Sequence, residues 1–196
     1  MGTVSLVLAT HNAHKLAEFR RLLEPAAIAL EPLPDGVLLP PEDGETFADN
    51  ALAKARAAAA ATGAAAIGDD SGIEAEALGG APGVRSARYA GPGATDEQNL
   101  RKLIAHAPGG SALRFVCALA YVDPQRNLEH LLVGDCAGRM SSTPRGTHGF
   151  GYDPVFIPDQ DARQRTIAEL EDREKDAISH RGRAVRALVA WLRGAS

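Results

Sequence analysis

The sequence predicts an α/β fold with a long mixed β-sheet flanked by helices. Nearly continuous apolar runs, at residues 4–9 and just before Asp69, are typical of strands that are covered on both faces. Two further apolar runs, residues 113–122 and 128–134, are separated by only five residues rich in turn formers. They predict an antiparallel hairpin, so the sheet should be mixed rather than purely parallel.

Helical periodicity and capping signals separate these strands. Apolar residues recur at helical spacing from Leu16 until Pro25 stops the helix, and residues 25–44 read as a loop that carries one short strand. Thr46 predicts the start of an Ala-rich helix that runs to about residue 62, with Gly63 as its C-cap. Thr95 predicts the start of another helix, and a last helix follows residues 179–182.

Composition limits the class of protein. The 196 residues suit one globular domain, 1–196, and the net charge of −4, from 21 Lys and Arg against 25 Asp and Glu, leaves no basic footprint for nucleic acid. We find neither a membrane-spanning segment nor an export signal, so we expect a cytoplasmic protein without a membrane partner. Cys117 and Cys136 lie in apolar stretches, and we expect both in the core.

Two adjacent carboxylates, Asp69 and Asp70, stand where the apolar run at residues 66–68 stops. Consecutive strand residues point to opposite faces, so the two side chains should have different roles. A carboxylate just beyond the end of a buried strand is well placed to hold a hard divalent cation. The alternative is a plain turn, because Asp, Ser and Gly are ordinary turn residues.

The first strand leads into a helix through Thr10, Asn12 and Lys15. Free backbone N–H groups and the positive end of the helix dipole favour a phosphate at such a turn, and Lys15 adds a full charge. The spacing is not that of a P-loop, which disfavours a Walker-type NTPase. A plain helix cap with a solvated lysine remains the alternative.

Two later segments are rich in polar and aromatic groups. Phe150 and Tyr152 lie between glycines, where they are poor core material but could offer a flat face for a base, with Asp153 at its edge. Lys175, His180 and Arg181 precede the last helix, and surface solvation is the alternative there. Together with the acidic stretch and Lys15, these are the parts that a nucleoside triphosphate site needs.

In this order along the chain, the motifs resemble those of the inosine triphosphate pyrophosphatase family, whose bacterial members are XTP/dITP diphosphatases. The resemblance extends from residue 4 to about residue 190. The matching segments are Thr10-x-Asn12-x-x-Lys15, Glu42 ahead of Thr46-Phe47, Asp69-Asp70-Ser71-Gly72, residues 78–83, Ser86-Ala87-Arg88-Tyr89, Gly149-Phe150-Gly151-Tyr152-Asp153-Pro154 and Ser179-His180-Arg181.

The resemblance implies a two-lobed fold with the active site in the cleft between the lobes, a homodimer, and Mg²⁺-dependent hydrolysis of ITP, dITP and XTP to the monophosphate and pyrophosphate. Such enzymes keep deaminated purines out of DNA and RNA. By this similarity Asp70 would be the general base and a metal ligand, Glu42 the second metal ligand, and Asp69 a supporting acid.

The same resemblance implies the substrate contacts. The triphosphate would be bound by Thr10, Asn12, Lys15, Lys54 and Ser71. The nucleoside would be bound by Phe150, Gly151, Tyr152, Asp153, Lys175, His180 and Arg181.

Two other functions remain open at this point. One is a related pyrophosphatase that acts on modified pyrimidines or methylated bases. The other is a nucleotide-binding protein without catalysis, which the presence of both Asp70 and Glu42 disfavours.

Overall fold

The computed structural model describes residues 5–194, and its central feature is a mixed β-sheet. Six strands form it in the order β2-β1-β3-β4-β5-β6. Strand β1 pairs in parallel with β2 and with β3, whereas β5 and β6 are antiparallel. The strands are β1 (Ser5–Leu8), β2 (Ala29–Pro32), β3 (Ala66–Ala75), β4 (Ala112–Asp123), β5 (Leu128–Met140) and β6 (Phe156–Pro158). The predicted α/β class with a mixed sheet is confirmed.

Five α-helices lie among residues 5–194. They are α1 (Ala13–Leu23), α2 (Phe47–Thr62), α3 (Asp96–His106), α4 (Asp172–Ile178) and α5 (His180–Gly194). None of these helices within the described range combines the length and apolar character that crossing a bilayer requires.

The capping signals at Thr46 and Thr95 located the starts of α2 and α3, whereas the expectation that His180 and Arg181 precede the last helix is wrong: they lie in the first turn of α5, and Lys175 lies in α4. Thr46 and Asp49 form a reciprocal capping box at the start of α2, and Gly63 ends that helix in the left-handed conformation with φ of 66°. The predicted hairpin corresponds to β4 and β5, and the short strand expected within residues 25–44 is β2. Val4, the first residue of the predicted first strand, lies outside the described residues.

The prediction that a strand ends at Asp69 and Asp70 is wrong. Strand β3 continues to Ala75, so both carboxylates lie in its middle. It is the neighbouring strand β1 that ends here, because Leu8, its last residue, pairs with Ile67. Asp69 and Asp70 therefore lie in β3 just beyond the point where the neighbouring strand β1 ends. Their side chains are thus next to the carboxyl end of β1 although they belong to a buried strand.

The described chain divides into two compact units, each with its own core. The first unit comprises the residues up to Asp70, Cys117–Gly134 and the residues from Arg183 onward. Helices α1 and α5 cover one face of its sheet, and helix α2 covers the other face. The second comprises Ser71–Val116 and Asp135–Gly182, with Leu103, Phe115 and Phe156 in its core. One domain over 1–196 stays a prediction.

Candidate active site

In the first unit, the alternation of strand β3 sends Asp69 and Asp70 to opposite faces of the sheet. Asp70 faces helix α2, where Asn50 donates to its Oδ2 at 2.9 Å. Asp69 contacts Lys15 and Cys117 instead. The predicted difference in role therefore has a geometric basis, because Asp70 contacts Asn50 and Lys54 of α2, whereas Asp69 forms an ion pair with Lys15.

One ammonium group links two of the predicted carboxylates. Lys54, two turns inside α2, places its Nζ 2.6 Å from Glu42 Oε1 and 3.3 Å from Asp70 Oδ1. The Lys54 and Asp70 side chains are almost fully buried, whereas 33% of the Glu42 side-chain surface is exposed. The two carboxylates thus converge on a single positive charge that lies close to solvent on the Glu42 side.

Burial and the neighbouring charges together shift the pKa values of Asp70 and Lys54. Burial raises the pKa of the Asp70 carboxyl above its ordinary value, and the opposing effects of Lys54 and Asn50 do not cancel this. Burial opposes the charged form of Lys54, but the neighbouring carboxylates, Asp70 foremost, outweigh it and raise the pKa of that ammonium. Glu42 and Asp70 can together carry two negative charges against the one ammonium of Lys54, so a further cation would balance the cluster.

Lys15 is held at the start of helix α1 by a buried acid. Its Nζ lies 2.6 Å from Asp69 Oδ2, and the other oxygen of Asp69 accepts a hydrogen bond from the Cys117 thiol at 3.1 Å. Asn12 is the N-cap of α1 and its side chain accepts from the backbone N–H groups of His14 and Lys15. Thr10 Oγ1 accepts from the N–H of Asn12 at 3.1 Å.

These contacts place three of the five predicted phosphate-binding residues together at one turn, whereas Lys54 lies in α2 and Ser71 in β3. Thr10, Asn12 and Lys15 are arranged as the capped start of α1, as the sequence predicted. Ser71, which follows Asp70 along β3, is half-buried. The arrangement offers a lysine and a helix start that could receive an anion.

The second unit gathers the predicted aromatic and basic residues. Lys175 Nζ donates to Asp153 Oδ2 at 2.8 Å and lies 5.2 Å from the centre of the Phe150 ring. Arg181 faces the same ring, with its Cζ at 5.7 Å. The Phe150 ring is half-buried, so it is an aromatic surface with two cations beside it.

Buried contacts fix the groups around this ring. Asp153 Oδ2 also accepts from the Phe150 N–H at 3.0 Å, which closes the turn that carries the ring. The His180 imidazole is stacked on Phe115 with 4.7 Å between ring centroids and 10° between planes. Lys175, His180 and Arg181 are buried, so surface solvation, the alternative for these three, does not describe them.

The structure corrects the expectation for Tyr152. Its ring is buried in the core of the second unit, and its hydroxyl donates to the carbonyl of Ser86 at 2.8 Å. Burial raises the pKa of that phenol. The ring is therefore core material rather than a surface for a base, whereas the neighbouring Gly151 N–H donates to Asp96 Oδ2 at 3.1 Å.

The donor set fits a hard divalent cation at Glu42 and Asp70. Hard cations prefer carboxylate oxygens, and these two side chains already share one positive charge, the Lys54 ammonium. Within residues 5–194, no group of three or more His, Cys, Asp and Glu side chains is arranged as a metal cage. A cation bound here would keep positions for water or phosphate, as Mg²⁺ commonly does.

We call the carboxylates Glu42, Asp69 and Asp70, together with Lys54, the acidic cluster. Sequence reasoning missed two of its contacts. Asn50 lies four residues before Lys54 in the sequence, and this i, i+4 spacing, which places both on one helix face, was the available signal for its contact with Asp70. Cys117 is buried as predicted, but its hydrogen bond to Asp69 had no signal in the sequence, because β3 and β4 pair across about 48 residues of chain.

Fold and site together define the class: an α/β protein with a paired-carboxylate centre beside a capped helix start, and a separate aromatic and cationic cluster. Comparison with known proteins assigns the chain to one protein family. The family model described as "Ham1 family" matches residues 6–191, and the chain belongs to this family. The resemblance predicted from the motifs is thereby confirmed.

Three relatives illustrate the similarity. A protein of Cutibacterium acnes named dITP/XTP pyrophosphatase is 49% identical over 193 residues, covering 94% of each chain. A protein of Gloeobacter violaceus with the same name is 46% identical over 188 residues, covering 94% of this chain and 92% of the relative. The solved structure of a HAM1 protein from Coxiella burnetii superposes with a TM-score of 0.85 at 40% identity, over 97% of this chain and 99% of that one.

Proposed function

We propose that the protein hydrolyses the non-standard purine nucleoside triphosphates ITP, dITP and XTP to the monophosphate and pyrophosphate, with Mg²⁺ as its cofactor. The observation that carries the proposal is the convergence of Glu42 and Asp70 on one cationic position. It is supported by relatives at 46–49% identity that are named dITP/XTP pyrophosphatase.

The acidic cluster has the groups that such a reaction needs. Glu42 and Asp70 would hold Mg²⁺, which when bound neutralises phosphate oxygens and polarises water. Lys15 and Lys54 would contact the triphosphate, and phosphoryl transfer depends chiefly on positioning and on such charge neutralisation. No side-chain nucleophile is required, because water attacks the anhydride between the α- and β-phosphates.

Asp70 would accept the proton of the attacking water. Burial raises the pKa of the Asp70 carboxyl in the metal-free chain, whereas a Mg²⁺ ion held by Asp70 would lower it and keep Asp70 in the carboxylate form that can accept a proton. As the water proton passes to Asp70, the water oxygen would bond to the α-phosphorus, the bond from this phosphorus to the oxygen bridging to the β-phosphate would break, and pyrophosphate would leave with that oxygen.

The second unit would bind the nucleoside. Phe150 provides a ring on which a purine can stack, with Asp153 and Lys175 fixing the turn that presents it. A buried donor such as Arg181 suits a 6-oxo group, and facing the 6-amino group of ATP it would be left unpaired at roughly 1–3 kcal/mol, about 5-fold to 150-fold. GTP also has a 6-oxo group, so its rejection must depend on its 2-amino group.

The test is pyrophosphate release from ITP, XTP, dITP, GTP and ATP with Mg²⁺, comparing the native chain with Asp70→Asn. We expect release from the first three only, reduced about 10²-fold to 10⁴-fold by the substitution. Saturable ITP binding without any release would instead favour a nucleotide-binding protein. Preferential turnover of a modified pyrimidine or methylated nucleotide would favour the related pyrophosphatase.

We also propose that the protein is a cytoplasmic homodimer. Leu131 and Val133 are 42% and 62% exposed on the same face of β5, which supports an apolar contact with a second copy. Light scattering of the native chain and of Val133→Lys tests this. A monomeric mass for the native chain at micromolar concentration would contradict the dimer.

A further inference from the structure

Asn50 connects the two cation-binding segments of the first unit through both ends of its amide. Its Nδ2 donates to Asp70 Oδ2 at 2.9 Å, and its Oδ1 accepts from the backbone N–H of Gly44 at 2.9 Å. Gly44 lies two residues after Glu42 in the loop before helix α2. One buried side chain thus contacts strand β3 and the loop that carries Glu42.

The orientation of this amide is determined by its partners. A backbone N–H can only donate and an ionised carboxylate can only accept, so the oxygen must face Gly44 and the NH₂ group must face Asp70. Asn50 is only 2% exposed, which leaves little competition from water. Its backbone follows the capping box of Thr46 and Asp49, so the residue that spans loop and strand is itself well anchored.

This arrangement distinguishes the two oxygens of Asp70. Asn50 holds Oδ2, whereas Oδ1 faces the Lys54 ammonium at 3.3 Å. Lys54 has a long flexible stem and cannot by itself set the separation between Asp70 and Glu42. Asn50 has only two side-chain torsions and is hydrogen-bonded at both ends, so it can set that separation.

We propose that Asn50 is a positioning residue for the cation site: it orients Asp70 and, through Gly44, holds the loop that presents Glu42. This proposal rests on the proposed function, because it assigns both carboxylates to one divalent cation. Partners that orient metal ligands typically influence metal affinity 10-fold to 100-fold.

The protein offers a matched control in the second unit. Asn99 occupies the same position after a capping box in α3, is also 2% exposed, and uses both ends of its amide, accepting from Ala90 N and donating to Ala87 O. Asn99→Ala therefore also removes one accepted and one donated hydrogen bond at equal burial, but the donated one goes to a backbone carbonyl and not to a carboxylate of the acidic cluster.

The first measurement is calorimetric titration of the full metal-free chain with Mn²⁺ and with Mg²⁺. We expect Asn50→Ala to weaken binding about 10-fold to 100-fold and Asn99→Ala to leave it unchanged. Asn50→Leu keeps the number and branching of the side-chain heavy atoms of asparagine without its polar groups, so it should weaken binding as Asn50→Ala does. Recovery of native affinity in Asn50→Leu would mean that only packing matters, and would overturn the proposal.

The second measurement is hydrogen exchange of the backbone N–H of Gly44. It should accelerate in Asn50→Ala and Asn50→Leu and remain slow in Asn99→Ala. Native exchange at Gly44 in both Asn50 variants, or equal loss of metal affinity in Asn99→Ala, would overturn the proposal. If the native chain itself binds neither cation and releases no pyrophosphate, the proposed function fails, whereas native metal affinity in the Asn50 variants refutes only the role of Asn50.

Discussion

Replacing Lys54 with methionine tests the electrostatic description of the acidic cluster. Methionine keeps a similar unbranched length but removes the charge, leaving Glu42 and the buried Asp70 without the ammonium that contacts both. Breaking a buried ion pair by removing one partner commonly costs about 3–5 kcal/mol. Because Glu42 is one-third exposed at 33% and Asp70 can take up a proton, we expect the lower end, about 3 kcal/mol near neutral pH.

This loss should be visible in thermal and urea unfolding followed by circular dichroism. For a chain of this size, 1 kcal/mol shifts Tm by roughly 2–4 °C, so Lys54→Met should lower Tm by about 6–12 °C. Lys175→Met is the matched control, since Lys175 is another buried lysine that donates to a carboxylate, Asp153. Both variants should lose stability.

The pH dependence separates this explanation from simple loss of packing. Burial already raises the pKa of Asp70 in the folded state above its value in the unfolded chain, and loss of Lys54 should raise it further. At pH values between the pKa of Asp70 in the unfolded chain and its raised pKa in the folded chain, the folded state binds more protons than the unfolded state. The free energy of unfolding therefore falls as pH rises through this range. The deficit of Lys54→Met should therefore be smaller near about pH 5 than near about pH 7.5.

Divalent cations provide a further check on the same variant. A cation held by Glu42 and Asp70 would replace the missing positive charge, so Mg²⁺ should stabilise Lys54→Met by a larger increment than it stabilises Lys175→Met. Native stability of Lys54→Met at neutral pH, or a deficit that does not change with pH, would refute the electrostatic reasoning.

Three further predictions concern other parts of the molecule. Thr46→Ala removes the cap of helix α2 and should cost about 1 kcal/mol in urea unfolding. The Arg165 guanidinium lowers the pKa values of Asp161 and Glu174 in the folded state. These ion pairs therefore stabilise the fold above the pKa values that the two carboxyls have in the unfolded chain, and the stabilisation is lost as pH falls through their pKa values in the folded state. Arg165→Gln should therefore unfold at a higher pH in an acid titration. Phe150→Ala should raise KM for ITP about 5-fold to 150-fold in steady-state assays, because stacking of a base contributes roughly 1–3 kcal/mol.

Each of these has a result that would contradict it. Unchanged urea stability of Thr46→Ala would mean that the cap does not stabilise α2. An acid midpoint of Arg165→Gln equal to that of the native chain would exclude the ion pairs as a source of acid stability. A native KM for Phe150→Ala, with kcat alone reduced, would argue against stacking on this ring.

Local signals predicted the helices and the mixed sheet because they depend on neighbours in the chain. The ends of α2 follow from the hydrogen bonds of Thr46 and from the left-handed conformation of Gly63, both of which are written in a few adjacent residues. The hairpin of β4 and β5 follows from two apolar runs with a short connection. Family membership likewise rests on motifs that need no coordinates.

The candidate site was predicted as a set of residues but not as a set of contacts. Asp69 and Asp70 were singled out because two carboxylates interrupt an apolar run, yet the strand was expected to end there. Only the pairing of Leu8 with Ile67 shows that β1 ends beside a longer β3. Strand register depends on partners far apart in sequence, and no local pattern encodes it.

The sequence alone therefore determined which chemical groups are available: carboxylates, lysines and an aromatic turn, in the order typical of the family. The tertiary structure decided which groups meet. It buried Tyr152 in a core, paired Lys15 with Asp69, and brought Asn50 between Asp70 and the loop of Glu42. Local propensities act over a few residues, whereas these contacts form only when packing brings distant segments together.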